Sequence, residues 1–491
     1  MNDCHQGLAG LKPLVFGFLP RQFRQGVGLR RVISPAFFLL TWSFLGGSVW
    51  STFATEAVAA EQSSTENDSP AESSQDAAPT PVIFRSSDYG IANAPEDPAN
   101  LLKEPAQRRK QRDSLFDYTM FSSSRDAFQG FTESLYKKTS IQLGINSNNL
   151  FQHVSDVVPG TDKSGVGSDL DVIARWELVD KGTATMGQVI THIEGRWDYG
   201  TTPPSTIGDN NLRSLIRTAD PFNSYTPTFL VRNMYWQQGS QTAGWTYRVG
   251  KITPDQTLGT SAHLNPFTTF LPSGSVGSNA AHPDSGLGSV GIKYFDDNRW
   301  YVLGLISDAN GDREDLGDIG EGDFFKAVEF GYKFFPQTER AGYSKLTIGH
   351  TDGTADGKPN NVALGPSGWS IAGKYEQELT ADGRMVGVLK YGRTYNNTGL
   401  FKELASGHFL LFDPDVPGAR KIKSDVMGVG LVWAEMPVPG TRDETGMEFF
   451  YRFPMFRQLD VTFSYQSFWN IARNPDIDQA NVYSVRLRTT F

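Results

Sequence analysis

Twelve side chains able to bind or orient a polar solute recur at alternate positions in this sequence. They are Arg175, Glu177, Glu194, Arg196, Arg248, Lys374, Glu376, Glu448, Phe450, Arg452, Arg486 and Arg488. Guanidinium and ammonium groups donate hydrogen bonds, carboxylates accept them, and a ring such as Phe450 can stack on an apolar face. Such a set suits a hydroxyl-rich solute. The same residues could equally neutralise one another as Arg–Glu pairs and hold shape without touching any solute.

Catalytic constellations are missing from the pattern. The seven histidines are scattered, with no His-Glu-x-x-His and no Gly-x-Ser-x-Gly. Gly286-Leu287-Gly288-Ser289-Val290-Gly291 matches a dinucleotide fingerprint literally. It runs into the strand-like Ile292-Lys293-Tyr294-Phe295, where that chemistry needs a helix N-terminus. Asp308-Ala309-Asn310-Gly311-Asp312 starts like a calcium loop but lacks the sixth-position glycine and the distal glutamate, so it reads as a solvated acidic loop. No motif calls for a cofactor or a metal.

The elements that position these residues are strands. In Asn481–Phe491, Tyr483, Val485, Leu487, Thr489 and Phe491 share one face, and Ser484, Arg486, Arg488 and Thr490 share the other. Thr445–Phe453 sets Met447, Phe449, Tyr451 and Phe453 against Glu448, Phe450 and Arg452. Leu459–Ser467 sets Leu459, Val461, Phe463 and Tyr465 against Asp460, Thr462, Ser464 and Gln466. Strands greasy on one face and charged on the other suit a wall between lipid and water.

The same alternation predicts strands at Asp169–Val179, Thr185–Trp197, Pro227–Gln237, Gly244–Ile252, Leu287–Phe295, Trp300–Ser307, Phe324–Phe335 and Tyr343–Thr351. It continues through Gly368–Glu378, Arg384–Tyr395 and Asp425–Glu435. With weaker signals near Ser140–Asn146 and Gly407–Asp413, the total is about sixteen, an even number as bacterial barrels have. Turn-like connections such as Asp296-Asp297-Asn298 and Thr380–Gly383 contrast with long polar ones at Asp308–Asp323 and Asn396–Ser424. The expected fold is an all-β, transmembrane antiparallel barrel over 139–491. A soluble β-sandwich or propeller fits less well, because the charged face recurs at strand centres.

Composition narrows the class further. Aromatics reach 12% and glycines number 50, while hydrophobic residues are only 38% of the 491. The net charge of −9 disfavours a nucleic-acid partner. The single cysteine, Cys4, leaves the remainder without disulfides or thiolate metal ligands. Residues 1–60 read as an export signal: Arg21, Arg24, Arg30 and Arg31 precede a mostly apolar Val32–Val49 and the small-residue site Ala57-Val58-Ala59. The alternative is a membrane anchor. Residues 61–114 form a low-complexity, disordered linker with a basic run at Gln107–Asp113, and 115–138 a short helical segment at the periplasmic mouth.

At Tyr247-Arg248-Val249-Gly250-Lys251-Ile252-Thr253-Pro254-Asp255, followed by Leu264-Asn265-Pro266-Phe267, the chain resembles the carbohydrate-selective porins of the OprB type. Further similarities are Glu435–Gly446, with its Pro/Gly-Arg-Asp turn, and Glu448-Phe449-Phe450-Tyr451-Arg452 leading to Asp460-Val461-Thr462 and Asn474-Pro475. The resemblance covers about Asp169 to Phe491. Arg457-Gln458-Leu459-Asp460 and Gln466-Ser467-Phe468 depart from the family pattern. The resemblance implies a passive outer-membrane channel of a Gram-negative bacterium, with no enzymatic activity, whose partners are small carbohydrates and outer-membrane lipid. Channel-lining candidates are then Arg175, Glu194, Arg196, Arg248, Glu448, Phe450, Arg452, Arg486 and Arg488. Phe491 would end the strand that the barrel-assembly machinery recognises by strand pairing. The alternative function is a β-rich outer-membrane or secreted carbohydrate-active hydrolase.

Overall fold

Alternation along the chain becomes two faces of one wall in the computed structural model. It describes residues 114–491 apart from 117–121, 278, 312, 318, 335–339, 353–366, 397, 415–423 and 438–440. The expected export signal and the linker as far as residue 113 lie outside the described residues.

Among the described residues a helix, α1 (Ser122–Thr139), leads into sixteen strands. The first eight are β1 (Ile141–Val154), β2 (Ser164–Val179), β3 (Gly187–Asp198), β4 (Phe229–Ser240), β5 (Trp245–Ile252), β6 (Gly286–Phe295), β7 (Trp300–Asp308) and β8 (Phe324–Phe334). The others are β9 (Gly342–Thr351), β10 (Gly368–Glu378), β11 (Met385–Thr394), β12 (Glu403–Phe412), β13 (Val426–Glu435), β14 (Glu444–Phe456), β15 (Leu459–Trp469) and β16 (Gln479–Thr490). Each pairs antiparallel with its sequence neighbour, and β1 pairs with β16, Leu150 opposite Arg486, to close the barrel. Closure leaves no strand edge unpaired, the condition for a sheet to stand in lipid.

Side-chain parity follows the sequence. On β16 Tyr483 and Leu487 face outward, while Arg486 and Arg488, 1% and 2% exposed, face inward. Phe449, Phe463, Val429, Leu431, Trp176 and Val249 extend the outer apolar face around the barrel. One end carries short connections, residues 180–186, 241–244, 296–299, 379–384 and 457–458, together with the start of β1 and Phe491. In the tight turn of residues 296–298, Asp296, Asp297 and Asn298 adopt φ of 50°, 49° and 66°, a left-handed region that Asp and Asn tolerate better than bulkier residues. The other end carries residues 199–228, 253–285 and 309–323.

Two expectations change. The long connection expected over Asn396–Ser424 contains the whole of β12, whose inward Leu404, His408 and Leu410 alternate with Phe409 and Leu411 around Gly407, which blurs the pattern. The inner wall is also not wet throughout. On β6, β7 and β8 the inward residues Val290, Ile292, Tyr301, Leu303, Leu305 and Phe325 form a buried apolar cluster with Leu258. Their inward positions are mostly apolar, Glu329 of β8 excepted, because a segment of chain folds against them from inside.

At the short-turn end, Asp425 immediately precedes β13, and the Tyr451 hydroxyl donates to its Oδ2 at 2.7 Å. Burial pushes the Asp425 carboxyl up to about 6, and neighbouring Asp413 pushes the same way against the Tyr451 hydrogen bond. The folded chain therefore binds this proton more tightly than the unfolded chain, whose carboxyl titrates near 3.8. Stability from this group falls as pH rises through that interval. Asp425→Asn, which mimics the protonated form, is expected to raise the temperature at which the compact, fast-migrating gel form is lost at about pH 8. At about pH 4 the gain should shrink. An equal gain at both pH values would contradict the assignment.

Candidate functional site

Two connections from the long-loop end, residues 199–228 and 253–285, fold into the lumen. A chain buried there must have its backbone groups satisfied, and beside bonds within the segments themselves the inward polar side chains of the wall do it. Glu444 Oε2 accepts from Leu215 N and Ala472 N, both at 2.9 Å, while Oε1 accepts from Ile216 N at 3.1 Å and from the Ser214 hydroxyl. Gln152 and Gln466 both donate to Thr218 O. The second segment is held at more points. Glu448 Oε2 accepts from Leu271 N at 2.8 Å, and Glu329 Oε2 from Gly259 N at 2.5 Å. Arg486 donates to Pro266 O at 2.5 Å and Thr269 O at 2.9 Å, and Arg452 donates to Thr268 O at 3.1 Å.

Lys345, Lys374 and Lys390 stand directly opposite one another on β9, β10 and β11. They donate respectively to the Thr260 hydroxyl, Gly259 O, and the carbonyls of Ser275 and Val276. Glu376 meets His263 Nδ1 at 2.7 Å.

Beside the segments lies a cavity of about 390 Å³. Arg196 on β3 donates to Asp169 Oδ2, Glu194 Oε1 and Asn223 Oδ1, each at 2.7 Å. The Tyr225 hydroxyl donates to Glu194 Oε2 at 2.6 Å. Its ring is close to two guanidiniums, Arg196 at 4.9 Å and Arg313 at 4.8 Å. Asp284 pairs with Arg232 at 3.0 Å and with Arg313 at 3.2 Å. Burial pushes the Asp284 carboxyl up, but the two guanidiniums outweigh it and hold it below the usual carboxylate range. Burial also raises the Tyr225 phenol, so it remains a donor at neutral pH. Phe267 and Phe401 add rings to the lining. Fixed donors and acceptors of both signs beside rings can hold a polar, uncharged molecule weakly.

Asp171, His192 and Glu194 bring ligand-type atoms within 4.8 Å of one another. His192 Nε2 is 2.8 Å from Asp171, and Glu194 already faces Arg196 and Arg232. Those positive charges oppose a cation at this point.

The sequence candidates therefore separate by position. Glu194 and Arg196 line the cavity. Glu448, Arg452 and Arg486 hold the inner segment, and Phe450 packs edge-on against its Phe270 with ring centroids 4.9 Å apart. Arg488 donates to Asn148 Oδ1 at 2.9 Å and lies over the Phe267 ring. Arg248 donates to Gln237 Oε1 at 2.8 Å and stacks over Tyr235. Arg175 bonds Gln142 and Glu177 at the short-turn end. Sequence reasoning missed Tyr225, Arg232, Asp284 and Arg313. Arg232 alternates on a predicted strand and was open to the same parity argument; the other three lie in connections with no periodic signal.

A closed sixteen-stranded barrel with an apolar outer belt, narrowed from within by inserted segments beside a polar cavity, is a transmembrane β-barrel architecture. The solved high-pH structure of OprB from Pseudomonas putida has this fold, with a TM-score of 0.59 and 13% identity over 74% of this chain and 97% of that one. A low-pH structure of the same protein matches with a TM-score of 0.46 and 11% identity, over 77% of this chain and 99% of that one. A mutant porin of Rh. blastica matches at 0.40 and 12%, over 72% of this chain and 100% of that one. No protein-family model and no curated protein sequence matches the chain.

Removing the Glu444 carboxylate leaves three buried backbone N–H groups unmet, at about 1–3 kcal/mol each. Glu444→Ala should lower the melting temperature of the compact form and make single-channel current noisier. Quiet, wild-type current from a fully stable variant would show that the carboxylate does not hold the segment.

Proposed function

We propose that this chain is a passive outer-membrane channel of a Gram-negative bacterium, through which small hydrophilic solutes, sugars above all, diffuse into the periplasm. The observation that carries the reading is the cavity in which Glu194, Arg196, Arg232, Asp284 and Arg313 present donors and acceptors beside Phe267 and Phe401. A sugar offers hydroxyl edges to the first group and C–H faces to the second. The OprB-type motifs and the shared fold support the choice of sugar over other solutes. In this reading residues 1–60 are an export signal, 61–114 a linker, 115–138 a periplasmic segment and 139–491 the channel. Phe491 closes the strand offered to the assembly machinery.

Reconstitution in planar bilayers tests the channel directly, with stepwise conductance expected. Sugar added to the bath should reduce the current. Glu194→Gln and Arg313→Ala should each weaken that block about tenfold, the worth of a charged hydrogen bond, while leaving open conductance. Stepwise conductance with unchanged block in both variants would remove the cavity from the solute path. Absence of conductance, with release of reducing sugar from an oligosaccharide, would favour the hydrolase alternative.

A further inference from the structure

We propose that α1 lies along the membrane surface at the short-turn end of the barrel, with Phe131 and Lys138 inserted into the interface of the adjacent phospholipid leaflet. The surface is continuous with the apolar belt. The ring of Phe128 meets Phe491 edge-on at 6.4 Å, and Phe491 continues the outward-facing row of β16. Trp176, outward-facing and exposed, donates through Nε1 to the carbonyl of Thr139 at 3.1 Å. The Lys181 ammonium donates to the Ser140 hydroxyl. The helix is thus tied to the rim at its middle and at its end.

Two contacts fix its rotation. Tyr136 donates at 2.9 Å to Glu177 Oε2, and Glu177 is on the inward, buried face of β2. Counting about 100° per residue from Phe128, Tyr136 lies about 80° to one side, and Phe131 and Lys138 about 60° and 80° to the other. If the Tyr136 side faces the lumen, the Phe131 side faces outward past the rim. Phe131 is 56% exposed there, a ring without protein cover next to the belt. Glu133, by the same count about 140° round on the Tyr136 side, points away from lipid.

A ring beside a lysine on one face of a surface helix is the pattern that settles at the headgroup boundary. The ring enters the acyl region while the lysine stem lies along it and its ammonium reaches phosphate. The partner is a phospholipid surface, and the inference rests on the barrel crossing a membrane, independently of the solute it passes.

The test uses the full chain carrying Cys4→Ser, reconstituted in phosphatidylethanolamine–phosphatidylglycerol vesicles. A single cysteine is placed at Phe131→Cys, at Lys138→Cys, whose side chain no protein group buries, or at Glu133→Cys, and labelled with an environment-sensitive fluorophore. Labels at 131 and 138 should be quenched by shallow spin-labelled lipid and shielded from iodide about threefold relative to 133. The label at 133 should behave in the opposite way. Iodide quenching at 131 and 138 equal to that at 133 would overturn the proposal. So would shielding from both quenchers, which would mean that protein covers the face. Lys138→Cys removes no packed side chain, so a folding failure at 131 leaves the experiment decisive.

Discussion

The structure depends on satisfying backbone polar groups inside a closed wall. Pairing of β1 with β16 uses every strand edge, so little of the sheet's backbone is left to hold anything in its lumen. Residues 199–228 and 253–285 nevertheless fold there. Some of their peptide groups pair within the inserted chain, as Leu258 N does with Pro254 O and Thr269 N with Asn265 O; others are met by side chains of the inner face, and there the assignment follows charge. Carboxylates at Glu329, Glu444 and Glu448 accept from N–H groups, while Lys374, Lys390, Arg452 and Arg486 donate to carbonyls. A buried amide that lost such a partner would cost more than the hydrogen bond itself contributes.

This constraint divides the inner wall. Over β6 to β8 the inserted chain is met mainly by aliphatic and aromatic residues, with Leu258 in that cluster, and by Glu329, which accepts from Gly259 N. Over β9 to β11 and β14 to β16 it is met by charges at alternate positions. The cavity lies where neither arrangement closes. There the arginines of β3, β4 and residue 313 face carboxylates and a tyrosine rather than peptide groups. Pairing within the cavity fixes the geometry of its donors and acceptors and so preorganises its surface.

How far the sequence reveals this depends on the range of each interaction. Face and parity are local: Arg486 and Arg488 point inward because Tyr483 and Leu487 point outward two residues away. That local rule recovers the strands, including the weakly marked β1, and fails only partly at β12, where Gly407 interrupts the pattern. Whether an inward arginine lines a channel or holds a segment is not local. The Ser214–Glu444 contact spans 230 positions, and neither residue carries a mark of its partner. Arg452 and Glu194 look alike in sequence, yet one bonds Thr268 O and the other faces the cavity. One trace was present. β7 reads Trp-Tyr-Val-Leu-Gly-Leu-Ile, apolar on both faces, and a strand between lipid and water has no use for the inner half of that run.

The same reasoning explains why the anchoring charges should tolerate exchange less readily than the cavity charges. A guanidinium such as that of Arg486 reaches two carbonyls, Pro266 O and Thr269 O, from one planar group. Lysine offers a compact ammonium on a flexible stem, which can reach two adjacent carbonyls, as Lys390 does at Ser275 and Val276, but without the fixed planar fork. In the cavity, Asp284 is shared by Arg232 and Arg313, and Glu194 by Arg196, Arg232 and Tyr225. Loss of one partner there leaves another in place, with the open side of the cavity accessible to water. The wall charges are therefore held to their type by the fold, while the cavity charges share one another's partners.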